Sequence, residues 1–277
     1  MEKIFYLKGK FLKESQSFIS PEDLGFLRGY GIFEFFEIIN RKPFYLKDHL
    51  KRFLNSAKIL KIDHSFSLED LEKIVFKTLK KNKNFKDGFV RMILTGGDSK
   101  DSLSAEKPNL YLLLEEKRKL PQIFYQKGVK VITKIFNRVL PKAKNLCYAE
   151  SILNLKEAKK KGAFEVIICD KNGEILEGTT SNFFAVIKNK VFTPPSEKIV
   201  EGVTKKIVFG ICKSLKIEIK ERKIFKKEIE NFDEAFLTST TKKILPVTKI
   251  DRLRIGRKTG NVTKKIMEEF EKIRKNF

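Results

Sequence analysis

KNLCYAESILNLKEAKKKGAFEVIICDKNGEILEGTTSN, residues 144–182, decides how the rest of the chain reads. It opens on Lys144 beside turn formers. The spacing that follows predicts an amphipathic helix, then an apolar strand, then a turn at Asp170-Lys171-Asn172-Gly173. It closes on Glu177-Gly178-Thr179-Thr180-Ser181-Asn182. Lys144 and Glu177 are therefore expected on neighbouring elements of one α/β unit.

A lysine amine attacks a carbonyl when it is held neutral by desolvation or by cationic neighbours. Lys142, two positions earlier, is such a neighbour. A carboxylate set against a pyridine nitrogen keeps that nitrogen protonated, so that the ring withdraws electrons from a carbanion. These are the two contributions that pyridoxal phosphate (PLP) chemistry asks of a protein. The chain holds 59 Lys and Arg, so composition cannot single out Lys144 from the solvated surface lysines. The surrounding pattern must do so.

That pattern resembles the class IV (fold-type IV) PLP aminotransferases, which include branched-chain aminotransferases, D-amino-acid transaminases and aminodeoxychorismate lyases. Its parts here are Lys144, Tyr148, Glu157-Ala158, Gly162, Gly173 and Glu177-Gly178 through Asn182. Cys147 stands where many relatives carry Asn. The resemblance implies that Lys144 is the Schiff-base lysine, that Glu177 meets the pyridine nitrogen and that Tyr148 meets the ring phenolate oxygen.

At 277 residues the chain fits one large or two moderate domains. A hydrophobic fraction of 41% with 25 Phe supplies a sizeable core. The net charge of +24 and pI near 9.8 would suit a nucleic-acid or membrane-surface partner. The lysines are spread along the whole length, however, with no basic block, zinc-ligand spacing or RNA-binding aromatic signature. They are read as a solvated surface, and a basic nucleic-acid-binding protein is the distant rival. Three cysteines, Cys147, Cys169 and Cys212, form no CxxC, which points to a reduced, cytoplasmic setting. No signal peptide is expected, and no apolar run approaches the roughly 20 residues that span a bilayer. Two histidines, His49 and His64, leave little material for a metal site or a Ser-His-Asp triad, and no metal is expected.

Toward the N-terminus, strands are expected at Ile4–Leu7 and near Phe11-Leu12, and a helix start at Ser20-Pro21-Glu22-Asp23. Leu27-Arg28-Gly29-Tyr30-Gly31-Ile32-Phe33-Glu34 then suggests backbone in close approach, followed by a buried strand. The resemblance implies that this strand lines the active site with Phe33. It also implies that Arg28 helps hold the substrate carboxylate, as in D-amino-acid transaminases. A guanidinium suits that task because it clamps a carboxylate in bidentate fashion. Leu50, Phe53, Leu54, Ala57 and Leu60 fall at helical spacing, with His49 and Arg52 on one face. Taken alone they are a surface pair; the resemblance makes Arg52 a ligand of the cofactor phosphate and leaves His49 structural. Ser67 to Asp70 is a capping-box variant. Arg91 lies inside the strand Phe89–Thr95, where a buried arginine needs an anion. A structural ion pair and a second substrate-carboxylate ligand are both open readings.

Glu116 to Pro121 is read as a linker, giving an N-terminal α/β domain over 1–118 and a larger C-terminal domain over 119–277. By resemblance the fold class is two-domain α/β (α+β), fold-type IV, with PLP at the domain interface in a homodimer. Later in the chain, Gly202-Val203-Thr204 opens a helix. Backbone amides and a hydroxyl at a helix N-terminus suit a phosphate, and the resemblance assigns Val203 and Thr204 to it. The hydroxyl cluster Thr238-Ser239-Thr240-Thr241, after the strand at Phe236-Leu237, is read as a turn, and the resemblance assigns Thr240 and Thr241 to the phosphate likewise. A C-terminal amphipathic helix is expected over 262–277. The implied activity is transamination between an amino acid and a 2-oxo acid, with Lys144 moving the proton. D-amino acids are the first choice by resemblance, because Arg28 and Arg91 are both candidate carboxylate ligands, Arg-Gly-Tyr-Gly-Ile-Phe is similar to a D-amino-acid transaminase segment, and Glu-Gly-Thr-Thr-Ser-Asn lacks the second glycine of branched-chain enzymes. Branched-chain L-amino acids come next, then aminodeoxychorismate lyase.

Overall fold

The computed structural model describes residues 2–277. These divide into two compact units. The first comprises residues up to Arg118 together with Ala143–Cys147 and Phe277; the second comprises Lys119–Lys142 and Tyr148–Asn276.

The first unit is built from β1 (Ile4–Leu7), β2 (Lys10–Lys13), α1 (Leu24–Arg28), β3 (Gly31–Ile39), β4 (Lys42–Pro43), α2 (Leu46–Ile59), α3 (Leu68–Lys81), β5 (Gly88–Thr95) and β6 (Asn109–Glu115). Its strands form one antiparallel sheet in the order β2-β1-β6-β5-β3-β4. Strand side chains alternate between faces. In β3 this sends Ile32, Phe36 and Ile38 into the core beside Leu50, Phe53 and Ala57 of α2 and Leu71, Val75 and Leu79 of α3. Phe33 and Phe35 take the other face and are half-buried. The capping box holds the start of α3: Asp70 N donates to Ser67 Oγ at 3.1 Å and Ser67 N donates to Asp70 Oδ2 at 3.0 Å.

One expected helix start moves. Asp23, not Ser20, caps α1, because its carboxylate accepts from Gly25 N at 2.7 Å. Asp23 is also wholly buried, and it accepts from Thr95 Oγ1, Asn109 Nδ2 and Tyr111 OH at 2.7–2.8 Å. It thereby ties the turn before Arg28 to β5 and β6.

The second unit contains α4 (Gln122–Lys127), β7 (Val129–Ile135), α5 (Ala149–Lys160), β8 (Glu165–Cys169), β9 (Glu174–Gly178), β10 (Ser181–Ile187), β11 (Lys190–Thr193), α6 (Val203–Ser214), β12 (Ile219–Glu221), β13 (Ile224–Phe225), β14 (Glu234–Ser239), β15 (Lys243–Ile250), β16 (Leu253–Arg254) and α7 (Asn261–Lys275). The path β10-β14-β15-β7-β8-β9 returns to β10 through a further β10–β9 pairing, so six strands close into a ring. Closure leaves none of these six strands as an edge, while β12, β13 and β16 remain on the outside of the ring. Val131, Ile167, Ile175, Phe183, Leu237 and Leu245 share one core cluster of this unit.

Two local expectations change here. Thr238 and Ser239 continue β14 rather than forming the turn, because they pair with Ile244 and Lys243. Helix α5 is weakly amphipathic: it packs through Leu155 and Ala158 but exposes the adjacent Ile152 and Leu153.

Candidate active site

Lys144 does not share a compact unit with Glu177, contrary to the expectation of one α/β unit carrying both. The reason is backbone pairing. Phe33 N donates to Lys144 O at 2.9 Å, Leu146 N donates to Gly31 O at 3.0 Å, and Asn145 bridges to Ile32 in antiparallel register. Ala143–Cys147 is thus a short strip along the start of β3. A Cβ on Gly31 would stand 2.9 Å from Leu94 O of β5 and 2.8 Å from Leu146 Cδ1 of the strip, so the backbone of β5 is what demands glycine at this point of β3. Lys144 N also donates to Ser56 Oγ on α2 at 3.1 Å. The peptide is therefore held from two sides, and the half-buried side chain lays its Nζ 4.4 Å from the centroid of Phe33. A charged amine is favoured over a ring face by cation–π attraction.

The same sheet face carries Arg91. Its guanidinium lies 4.6 Å from the Phe35 centroid and 5.7 Å from that of Phe33, and its Nε donates to Glu115. Of the two open readings for Arg91, an ion pair is present. Arg28 ends α1, exposed, with Nη1 donating to Leu27 O at 3.3 Å.

The opposite face of β3 carries Glu34, fully buried under α2. Arg52 grips it through two nitrogens, Nε to Oε2 at 2.9 Å and Nη2 to Oε1 at 2.6 Å. His49 Nδ1 stands 3.0 Å from Oε1. Burial alone would raise the Glu34 carboxyl, but Arg52 and His49 outweigh it and hold the group far below the usual carboxylate range. Burial pushes His49 below its ordinary value, against the pull of Glu34 and with the help of the Arg52 and Lys144 charges. This face therefore aligns Arg52 rigidly through a carboxylate that periodicity alone assigns to the core.

In the second unit, Glu177 lies buried near the end of β9. Arg138 Nη1 donates to Glu177 Oε1 at 3.0 Å, Val200 N to Oε2 at 3.3 Å and Asn182 Nδ2 to Oε2 at 3.4 Å. The Arg138 guanidinium lies 5.0 Å from the centroid of Tyr148, the residue that caps α5. Among the described residues Arg138 Nη2 is buried without a hydrogen-bond partner, and so is Thr238 Oγ1, whose residue pairs with Asn182 across β10 and β14. Asn182 Nδ2 also donates to Val200 O at 2.9 Å, and its Oδ1 would lie 1.9 Å from a Cβ on Gly202. Gly202 is thus required where Asn182 meets the N-terminus of α6. There Val203 and Thr204 form the first turn, and the N-cap residue Gly202 has no side chain with which to cap it. Thr240 and Thr241 occupy the β14–β15 turn, and Thr241 Oγ1 lies 3.4 Å from Ser239 Oγ.

Arg52, Lys144 and Phe33 thus fall in the first unit, as do Arg28 and Arg91; Tyr148, Glu177, Val203, Thr204, Thr240 and Thr241 fall in the second. Sequence reading missed Glu34, Arg138, Thr238 and Lys242. Arg138 sits in an irregular segment, so no periodicity marks it; an arginine six positions before Lys144 was the available signal.

Comparison with known proteins adds a family and relatives. The family described as "Amino-transferase class IV" matches residues 31–250. A Methanocaldococcus jannaschii protein provisionally named a branched-chain-amino-acid aminotransferase is 32% identical over 97% of this chain and 96% of its own. A D-alanine aminotransferase of Staphylococcus epidermidis is 29% identical over 98% of each. The structure of the T.th. branched-chain amino acid aminotransferase with pyridoxamine 5'-phosphate superposes with a TM-score of 0.91 at 25% identity, covering 100% of this chain and 95% of the other.

Proposed function

The chain belongs to the class IV aminotransferases, PLP-dependent enzymes of fold type IV, and from that premise we propose that it moves an amino group between a D-amino acid and a 2-oxo acid. PLP, when bound, supplies the electron sink that makes the substrate Cα–H acidic. The residues present fit such a group. Among the described residues buried Arg138 Nη2 and Thr238 Oγ1 lack partners, and the first turn of α6, entered from Gly202, presents amides that suit a phosphate.

Glu177 is the observation that carries the reading. A buried carboxylate held by an arginine, an asparagine and a backbone amide is kept in place to hold a proton at a ring nitrogen. Lys144 is the amine that holds the cofactor and then moves a proton to and from the substrate Cα. Arg52, Val203, Thr204, Thr240 and Thr241 bind the phosphate, and Tyr148 orients the ring. Phe33 forms the wall beside Lys144. Arg28 and Arg91 orient the substrate carboxylate; Arg91 would exchange or share its Glu115 contact to do so.

The choice of D-amino acids is supported by that arginine pair and by the D-alanine aminotransferase relative. Branched-chain L-amino acids are the second reading, supported by the M. jannaschii relative and the superposed structure. Turnover of D-alanine and L-leucine with 2-oxoglutarate decides between them. The proposal expects D-alanine to be the faster donor, and L-leucine turnover without D-alanine turnover overturns it. Ammonia-free cleavage of aminodeoxychorismate would point to the lyase. The protein acts as a cytoplasmic homodimer in this reading, supported by exposed apolar side chains such as Phe18, Phe26 and Leu103 and by three unpaired cysteines. Light scattering of the purified protein tests the assembly.

A further inference from the structure

Glu165, the first residue of β8, and Lys242, in the β14–β15 turn, form an ion pair at 2.7 Å inside the second unit. Their side chains are 1% and 9% exposed. Removing two charges from water is costly, and it is tolerated only when each remaining polar valence is met. Here it is met. Glu165 also accepts from Thr180 Oγ1 at 2.9 Å, from Val166 N at 3.0 Å, from Ser181 Oγ at 3.4 Å and from Thr179 Oγ1. Lys242 Nζ finds three acceptors: Glu165 Oε2, Thr180 O at 3.3 Å and Thr180 Oγ1. An ammonium has three hydrogens to give. Burial alone would raise the Glu165 carboxyl; Lys242 and the hydroxyls hold it below its ordinary value.

The consequence concerns the Glu-Gly-Thr-Thr-Ser-Asn motif. The hydroxyls of Thr179, Thr180 and Ser181 all turn toward Glu165. They hold the tip of the β9–β10 hairpin, two residues beyond Glu177. Lys242 meanwhile belongs to the tip that carries Thr240 and Thr241, where Lys242 N donates to Ser239 Oγ at 3.1 Å. The two tips lie at the same end of the ring, because Asn182 pairs with Thr238. One buried ion pair therefore spans the tip after the ring-nitrogen carboxylate and the tip at the phosphate side.

We propose that Lys242 and Glu165 are positioning residues, a buried clamp that locks these two hairpin tips to each other and so sets how tightly this chain retains its cofactor; the proposal rests on the cofactor reading above. A well-packed apolar pair would serve bulk stability as well or better. What the ion pair adds is a fixed register between the turn after Glu177 and the turn of Thr240 and Thr241, residues that would hold the cofactor in that reading.

The test compares Lys242→Met, Lys242→Arg, Glu165→Gln and the double variant Lys242→Met with Glu165→Leu, as holoenzymes. The readouts are the release rate of PLP, followed by loss of visible absorbance, and the thermal midpoint. Lys242→Met should release PLP about tenfold faster, the scale on which supporting partners act on a bound group. Lys242→Arg should restore part of the retention. The charge-free double variant should recover thermal stability and still release PLP quickly. Unchanged release in Lys242→Met and Glu165→Gln, or retention recovered together with stability in the double variant, overturns the clamp and leaves a structural ion pair. Hydrogen exchange of the cofactor-free protein separates this from failure of the cofactor reading. If the wild-type chain retains no PLP, that reading fails, and the clamp still predicts faster exchange at 179–181 and 240–242 together in Lys242→Met. Faster exchange at one tip only, or at neither, sinks it.

Discussion

Each unit sets an arginine against a buried glutamate, and the two pairs are built differently. In the first, Arg52 holds Glu34 with two nitrogens, at 2.9 and 2.6 Å, and His49 adds a further contact. In the second, Arg138 donates to Glu177 through Nη1 at 3.0 Å and also bonds Tyr148, while among the described residues its buried Nη2 has no partner. Exposure does not separate them, since the arginine side chains are 12% and 8% exposed. What separates them is valence. A carboxylate gripped in bidentate fashion is finished as a support, whereas an arginine with a buried donor in hand is unfinished until something anionic arrives.

The largest expected effect bypasses both pairs. Lys144→Ala should lower transamination by roughly 10³-fold or more, the scale of losing a nucleophile that is also the general base, with the thermal midpoint nearly unchanged. Glu34→Gln should act first on stability and, through the loosened Arg52, less strongly on phosphate binding. Breaking a buried ion pair costs about 3–5 kcal/mol, which differential scanning calorimetry would register as a large fall in midpoint. If Glu34→Gln melts like the wild type, the supporting role assigned to the first pair is wrong. Arg138→Met should show the converse: cofactor affinity weakened about tenfold to a hundredfold by titration, with a smaller change in melting. A variant that loses stability while keeping cofactor affinity would make the two pairs alike.

The smallest effect is in acid. His49 folds with its pKa pushed below 6.5 by burial. The unfolded chain therefore binds more protons as pH falls below that value, and stability drops. Glu34, held far below its ordinary 4.5, adds stability above that pH that is lost as acid increases. Denaturant midpoints measured from pH 7.5 down to about 2 should fall in both windows, the His49 one below 6.5 and the Glu34 one below 4.5. Replacing His49 with Gln should remove the upper one.

Much of this was legible from local pattern. The helix of Leu50, Phe53 and Ala57, the capping box at Ser67 and the strands at 109–115 and 129–135 follow from period and caps, which are properties of neighbours in sequence. For the candidate site, motif and residue type singled out Lys144, Glu177 and Gly202 as positions; the burial of Glu177 and the close approach at Gly202 are what the fold adds to them. What escaped was long-range. Nothing near Lys144 announces that its peptide will pair with β3 or rest on Ser56. Nothing near Glu165 or Lys242 marks them as partners 77 positions apart. Glu34 reads as a polar interruption in an aromatic strand until α2 brings Arg52 and His49 against it. Asp23, looking like part of a Ser-Pro-Glu-Asp helix start, turned out to serve four donors. Buried polar groups are satisfied by whatever the fold delivers, and that is invisible to periodicity.

Borohydride reduction of the yellow holoenzyme followed by peptide mass spectrometry tests the central claim most directly. The account predicts a single pyridoxyl-phosphate adduct, on the peptide containing Lys144 and on that residue. An adduct on any other lysine, or none from a protein shown to carry the cofactor, would contradict it.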